Sequence, residues 1–111
     1  MALNKKSEFE DRQQKLAELF KALGHPARVA ILELLNNSQS CMCGDITEQL
    51  PLAQSTVSQH LKALKQAGLI KGEIDGVRTC HCIDESGLEL IQGMMSDFLT
   101  NLQHPNLTSC C

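Results

Sequence analysis

Between residues 7 and 23, Phe9, Leu16, Leu19, Phe20 and Leu23 recur at helical spacing with charged residues between them, which predicts a first helix. Gly24 is placed to end it. Pro26 opens the next, because the first turn of a helix does not need the N–H that proline lacks. That second helix, over 26–35, carries Val29, Ile31, Leu32, Leu34 and Leu35 and reads as buried; Asn36, Asn37 and Ser38 break it. The segment 39–43 is too short for a helix. A third helix is expected after Gly44, with Asp45 as N-cap and Glu48 three residues on, stopping at Leu50 and Pro51. A fourth starts near Gln54 or Ser55, runs through Leu61 and Leu64, and ends at Gly68. Residues 69–75 and 77–83 read as two strands joined at Asp75-Gly76, a strong hairpin signal. A last helix over 85–102 presents Leu88, Ile91, Met95, Phe98 and Leu102 as a narrow apolar seam, and Pro105 closes it.

The predicted order is helix, helix, short strand, helix, turn, helix, hairpin, helix. A short helix, a tight turn and a second helix followed by a hairpin is the layout of a winged helix-turn-helix, in a chain that is mainly α with a small β-hairpin or sheet. In that layout the second helix of the pair enters the major groove of DNA by its N-terminal end. The 111 residues suit a single domain over 1–111, with a core at about 8–103 and a flexible tail at 104–111.

Charge changes this picture only when read locally. The net charge is −3, which by itself argues against a nucleic-acid partner. Yet 54–72 holds Lys62, Lys65 and Lys71 with no acid, whereas 79–111 holds no Lys or Arg and carries Asp84, Glu85, Glu89 and Asp97. Aromatics are only 3%, which argues against a stacking platform for single strands. No apolar core of a signal peptide and no apolar run of membrane-spanning length occur, so a cytoplasmic protein is expected, without a membrane partner.

The start of the fourth helix crowds Gln54, Ser55, Thr56, Ser58, Gln59 and His60, polar groups able to reach base edges or phosphates. Val57, Leu61 and Leu64 are spaced to hold that helix on the core. Lys62 and Lys65 can meet phosphates; Lys71 and Arg78 flank the hairpin and can reach phosphate or minor groove. His60 has two readings, a DNA contact or a partly buried packing residue. His25 and His104 read as a helix-start residue and a tail residue.

Residues 19–28 (LFKALGHPAR) followed by 54–70 (QSTVSQHLKALKQAGLI) resemble the ArsR/SmtB family of metal-responsive repressors, over about residues 8–103. The resemblance implies a homodimer formed by the first and last helices. It also implies binding to double-stranded operator DNA with an inverted repeat, and release when metal or metalloid binds.

Six cysteines in a reducing compartment point to ligands or reactive thiols. Cys41 and Cys43, like Cys80 and Cys82, are two apart, so each pair offers two thiols on one face of a strand. In winged helix folds the short strand pairs with the returning strand of the hairpin, which would bring all four together. The family's arsenic and cadmium/lead sensors carry a Cys-x-Cys pair near the third helix, which Cys41 and Cys43 resemble, one residue earlier. Their third cysteine falls on Ile46 here, the N-terminal cysteines of the cadmium/lead sensors are absent, and of the zinc sensors' last-helix set only Asp97 remains, with His104 past its end. Cys80 and Cys82 are therefore the further candidate ligands, and Cys110 and Cys111 can also reach in. An all-sulfur set suits soft species: arsenite or antimonite with three thiolates as the leading inducer, or cadmium, lead or zinc with four. Filler cysteines in strand positions and a thiol redox or persulfide sensor of the same fold are the alternatives. No organic cofactor is expected. A small thiol enzyme is disfavoured by the absence of a Cys-x-x-Cys, a phosphate-cradling Gly-rich loop and a βαβ pattern, and a metal buffer needs no reading helix.

Overall fold

The computed structural model describes residues 8–38, 41–43, 46–75 and 78–102; of 43, 73–75, 78 and 79 it describes the backbone only. Its elements are α1 (Asp11–Leu23), α2 (Pro26–Asn37), β1 (Met42–Cys43), a 3-10 turn (Thr47–Gln49), α3 (Gln54–Gln66), β2 (Ile70–Asp75), β3 (Arg78–Ile83) and α4 (Glu85–Asn101). The helix expected fourth in sequence is thus α3.

Two expectations are corrected. The first helix starts at Asp11 rather than at residue 7. Gln13 Oε1 accepts the Glu10 backbone N–H at 3.0 Å, a capping interaction that fixes the helix start there. Phe9, expected on the helical face, lies before the helix and is 59% exposed. The third predicted helix is only the 3-10 turn. Its cap position is Ile46, which has no side chain to accept a first-turn N–H, and Leu50 is extended (φ −125°, ψ 143°), as a residue before proline prefers. Pro51 thus stops the chain one turn after it begins to coil. Asp45, expected as the N-cap, lies outside the described residues.

α2 opens as expected, with the His25 Nδ1 accepting the Ala27 N–H at 3.0 Å ahead of Pro26. α3 ends through Ala67, and Gly68 takes φ +85°, where a side chain would be strained. β1, β3 and β2 form a three-stranded antiparallel sheet in that order. The turn at Gly76 and Val77 lies outside the described residues.

One core joins these elements: Leu19 and Ala22 of α1, Ile31 and Leu35 of α2, Ile46 at the start of the 3-10 turn, Val57 and Leu64 of α3, Leu69 and Ile70 at the root of the hairpin, and Ile91 of α4. Of the seam expected on α4, Ile91 is buried, Met95 and Phe98 are half-buried, and Leu88 and Leu102 are exposed. Phe98 meets Phe20 of α1 with ring centroids 5.7 Å apart. No described helix is long and apolar enough to cross a membrane.

Candidate nucleic-acid interface and thiol cluster

α3 is sharply two-sided. Val57, His60 and Leu64 are buried on one side, with Leu61 half-buried; Gln54, Ser55, Ser58, Gln59, Lys62 and Lys65 are exposed, and Thr56 is half-buried. Ser55, Ser58, Gln59 and Lys62 follow the spacing of one helical stripe. The cap residue, Ala53, has no side-chain acceptor, so the first-turn N–H groups stay available to an anion. Lys71, exposed on β2, extends the positive surface toward the hairpin. Arg78 is the first residue of β3; its side chain lies outside those described.

His60 does not belong to the exposed stripe. It is 7% exposed, its Nδ1 accepts a hydrogen bond from Arg28 Nε at 3.1 Å, and its ring lies 4.4 Å from that of His25. The packing reading of His60 therefore replaces the DNA-contact reading, because a ring held in the interior cannot reach a base edge. Burial, then the nearby His25 and Arg28, hold its pKa below the ordinary histidine value. Arg28 is the residue that sequence reasoning left without a role. Its Nη1 also donates to the carbonyls of Lys21 (3.2 Å) and Ala22 (3.4 Å), at the end of α1. The signal was its place in the 25–28 stretch HPAR, two residues after a helix-opening proline.

The strand register brings the four central cysteines to one part of the sheet. Met42 faces His81 and Cys43 faces Cys80, while Lys71 faces Cys82 and Glu73 faces Cys80 on the other side. Cys41 and Cys82 are joined by a disulfide, with Cα atoms 4.5 Å apart. Cys80, buried, is disulfide-bonded as well. Cys41 and Cys82 are half-buried. The side chain of Cys43 and all of His104, Cys110 and Cys111 lie outside what is described. Among the described residues, no three His, Cys, Asp or Glu side chains are arranged to hold a metal ion, and a sulfur in a disulfide has no thiolate to offer one. Ligation at this cluster thus requires the reduced form. His81, between the two cysteines of β3, is held below its ordinary pKa by partial burial and by the Lys65 cation.

The family described as bacterial regulatory protein, arsR family, matches residues 25–71, from the start of α2 to the second residue of β2. An uncharacterized HTH-type transcriptional regulator of Methanocaldococcus jannaschii is 38% identical over 84 residues, which cover 74% of this chain and 93% of the relative. The arsenical resistance operon repressor of Bacillus subtilis is 34% identical over 87 residues, covering 78% of this chain and 79% of the relative. The solution structure of a homodimeric winged helix-turn-helix DNA-binding domain from Mycobacterium bovis, a possible ArsR-family regulator, shares the fold, with a TM-score of 0.62, 24% identity and coverage of 98% and 97%. These likenesses describe a regulator of transcription, not an enzyme. By its matched core and by relatives aligned over most of its length, the chain belongs to the arsR family of DNA-binding transcriptional regulators.

Proposed function

We propose that the protein is a homodimeric repressor that reads an inverted repeat with the exposed stripe of α3 and leaves it when a thiol-seeking inducer, arsenite or antimonite, is captured by Cys41, Cys43, Cys80 and Cys82. The observation that carries the sensing half is the β1–β3 register, with Cys43 opposite Cys80 and Cys41 within bonding reach of Cys82. Arsenite, As(OH)3, exchanges its hydroxyls for three thiols with release of three waters, so it needs at least three reduced sulfurs in one place. The name of the Bacillus subtilis relative, an arsenical resistance repressor, supports the same inducer. β1 leads toward the turn before α3, and β3 is the returning strand of the wing. An ion holding the two together therefore acts on both elements that dock on DNA. Linkage requires that DNA weaken ion binding by the factor by which the ion weakens DNA binding, typically about 5–150-fold.

A second reading is favoured by the Cys41–Cys82 disulfide itself. Oxidation by a peroxide forms that S–S bond with loss of two thiol hydrogens, the peroxide leaving as two waters or as an alcohol and a water. The inducer is then an oxidant rather than an ion.

One experiment separates these readings. A fluorescent duplex, enriched from a random library by the protein, is titrated with reduced protein, with arsenite or with peroxide. Under the arsenite reading, Cys80→Ser and Cys43→Ser bind the duplex normally and lose the arsenite response, while deletion of 104–111 changes little. Release by peroxide but not by arsenite selects the redox reading. A response lost only on tail deletion moves the site to Cys110 and Cys111.

A further inference from the structure

We propose that Arg28 is the positioning residue of the DNA-reading helix: it ties the buried His60 of α3 to the carbonyl end of α1, and it does so only while His60 is neutral, so that operator binding weakens as His60 takes up a proton. The inference rests on α3 being the reading helix, and its test is chosen to fail separately from that assignment.

The geometry is that of a three-way joint. Arg28 sits in the first turn of α2. Its Nε donates to His60 Nδ1 at 3.1 Å, and its Nη1 donates to Lys21 and Ala22 carbonyl oxygens at 3.2 and 3.4 Å. One planar guanidinium thereby bridges the last turn of α1 and the middle of α3. A fork of fixed donors sets an angle between the elements it joins, which a flexible ammonium cannot. Away from the joint, the neighbouring Gln59 belongs to the exposed stripe of α3. A rotation of α3 that left the apolar contacts of Val57 and Leu64 intact would still have to break the Arg28 bond.

The joint also carries a proton condition. Nδ1 accepts from Arg28, so it bears no hydrogen, and the ring is neutral with its proton on Nε2. Protonation places a hydrogen on Nδ1, removes the acceptor, and sets a cation against a guanidinium. The charged or titratable groups facing the ring are His25, which caps α2 and lies 4.4 Å away, and Arg28 itself. Neither is an acid that would welcome the proton, and burial of the ring opposes it further. When the proton does bind, the bond holding α3 to α1 is lost.

The test uses the full chain and the duplex it enriches from a random library, with anisotropy measured at fixed salt from about pH 5.5 to pH 8, where histidine titrates. His60→Asn puts an amide oxygen where Nδ1 stood and cannot protonate; it keeps the affinity of the parent near pH 7.5 and loses the fall at low pH. Arg28→Lys keeps the charge and loses the fork. It lowers affinity for the enriched duplex roughly tenfold, the size expected for one hydrogen bond to a charged group, while binding to random duplex, which depends on phosphate charge, stays within about twofold. In the unaltered protein, the midpoint of the affinity loss follows the titration of the His60 imidazole signal in NMR spectra, which covers the case of a variant that fails to fold. An affinity that stays flat while His60 titrates overturns the proposal. So does a folded Arg28→Lys protein that discriminates as well as the parent. If Ser58→Ala with Gln59→Ala leaves specific binding intact, the fault lies instead with α3 as the reading helix.

Discussion

Leu99→Glu is the sharpest probe of the proposed dimer. Leu99 lies on α4 beside an apolar groove of about 490 Å³ lined by Leu23, Leu32, Leu69, Leu88, Ile91 and Met95, and it is 56% exposed in the single chain. Full burial of a leucine side chain is favourable by about 1.5–3 kcal/mol, so the half still open to water is worth roughly 1 kcal/mol when a partner covers it. A two-fold interface uses the residue twice, which makes ~2 kcal/mol for the pair, or about a thirtyfold change in the dimer dissociation constant. A carboxylate pressed against an apolar wall adds to that loss. The same substitution costs the isolated fold little, within about 0.5 kcal/mol, because the site is open to solvent there. Sedimentation equilibrium over a concentration series reads the dissociation constant, and thermal unfolding reads the fold. Leu90→Glu, nine residues earlier on the opposite face of α4 and 63% exposed, is the control and leaves assembly unchanged. A Leu99→Glu protein that dimerises like the parent refutes the placement of the interface on this side of α4. One that unfolds shows that Leu99 serves the chain's own core.

Other outcomes follow from the same structure. Because folding holds the pKa of His60 below its ordinary 6.5, the unfolded chain takes the proton first; the stability tied to neutral His60 is complete above about pH 6.5 and is lost as pH falls through that value toward the folded pKa. His81 is shifted the same way, so the melting temperature falls on acidification, and the fall is shallower in His60→Asn; an equal fall in both proteins would remove His60 as a cause. Ile31, fully buried between α2 and the core, costs about 2–5 kcal/mol when cut to alanine, which denaturant unfolding measures; a loss below 1 kcal/mol contradicts the packing described. Reducing the Cys41–Cys82 bond, which closes a 41-residue separation, lowers stability by at most about 4 kcal/mol through the chain entropy returned to the unfolded state; a melting temperature indifferent to reductant means that the bond does not form in solution. Gly87→Ala drives a methyl group into the Gly68 carbonyl oxygen and destabilises the fold, whereas Gly93→Ala, with open space around it, does not.

Hydrophobic spacing and turn residues carried most of the fold. The stripe of Val57, Leu61 and Leu64 faces inward, and strands of period two gave the cysteine register that β1 and β3 adopt. Where the reading went astray, tertiary or very local effects decided. The capping pair Glu10 and Gln13 outweighed the apolar Phe9 as the marker of the start of α1. Asp45 and Glu48 looked like a helix start, but Pro51 leaves room for only one turn. His60 looked polar because its partners, His25 and Arg28, are about thirty residues away in sequence; no local pattern announces a contact of that separation. For the same reason nothing local marks Arg28 beyond its place in the 19–28 stretch. The disulfide, too, depends on a proximity that spacing suggests and only the paired strands supply.

The base of the hairpin has a consequence for how the molecule can vary. Asp84 N–H donates to the Leu69 carbonyl at 3.0 Å, the Asp84 carboxylate accepts the Gly87 N–H at 3.0 Å, and Gly87 sits hard against Gly68. The exit from α3 and the entry to α4 are therefore riveted side by side, and the strands between them leave and return through one fixed gate. Residues added or removed at the far end of the hairpin change the reach of the wing without disturbing either helix. A single residue inserted at the gate shifts α3 and α4 together. Length changes among workable variants of this chain should accordingly collect at the wing tip, and an inserted tag or reporter belongs there rather than at 67–70 or 83–87.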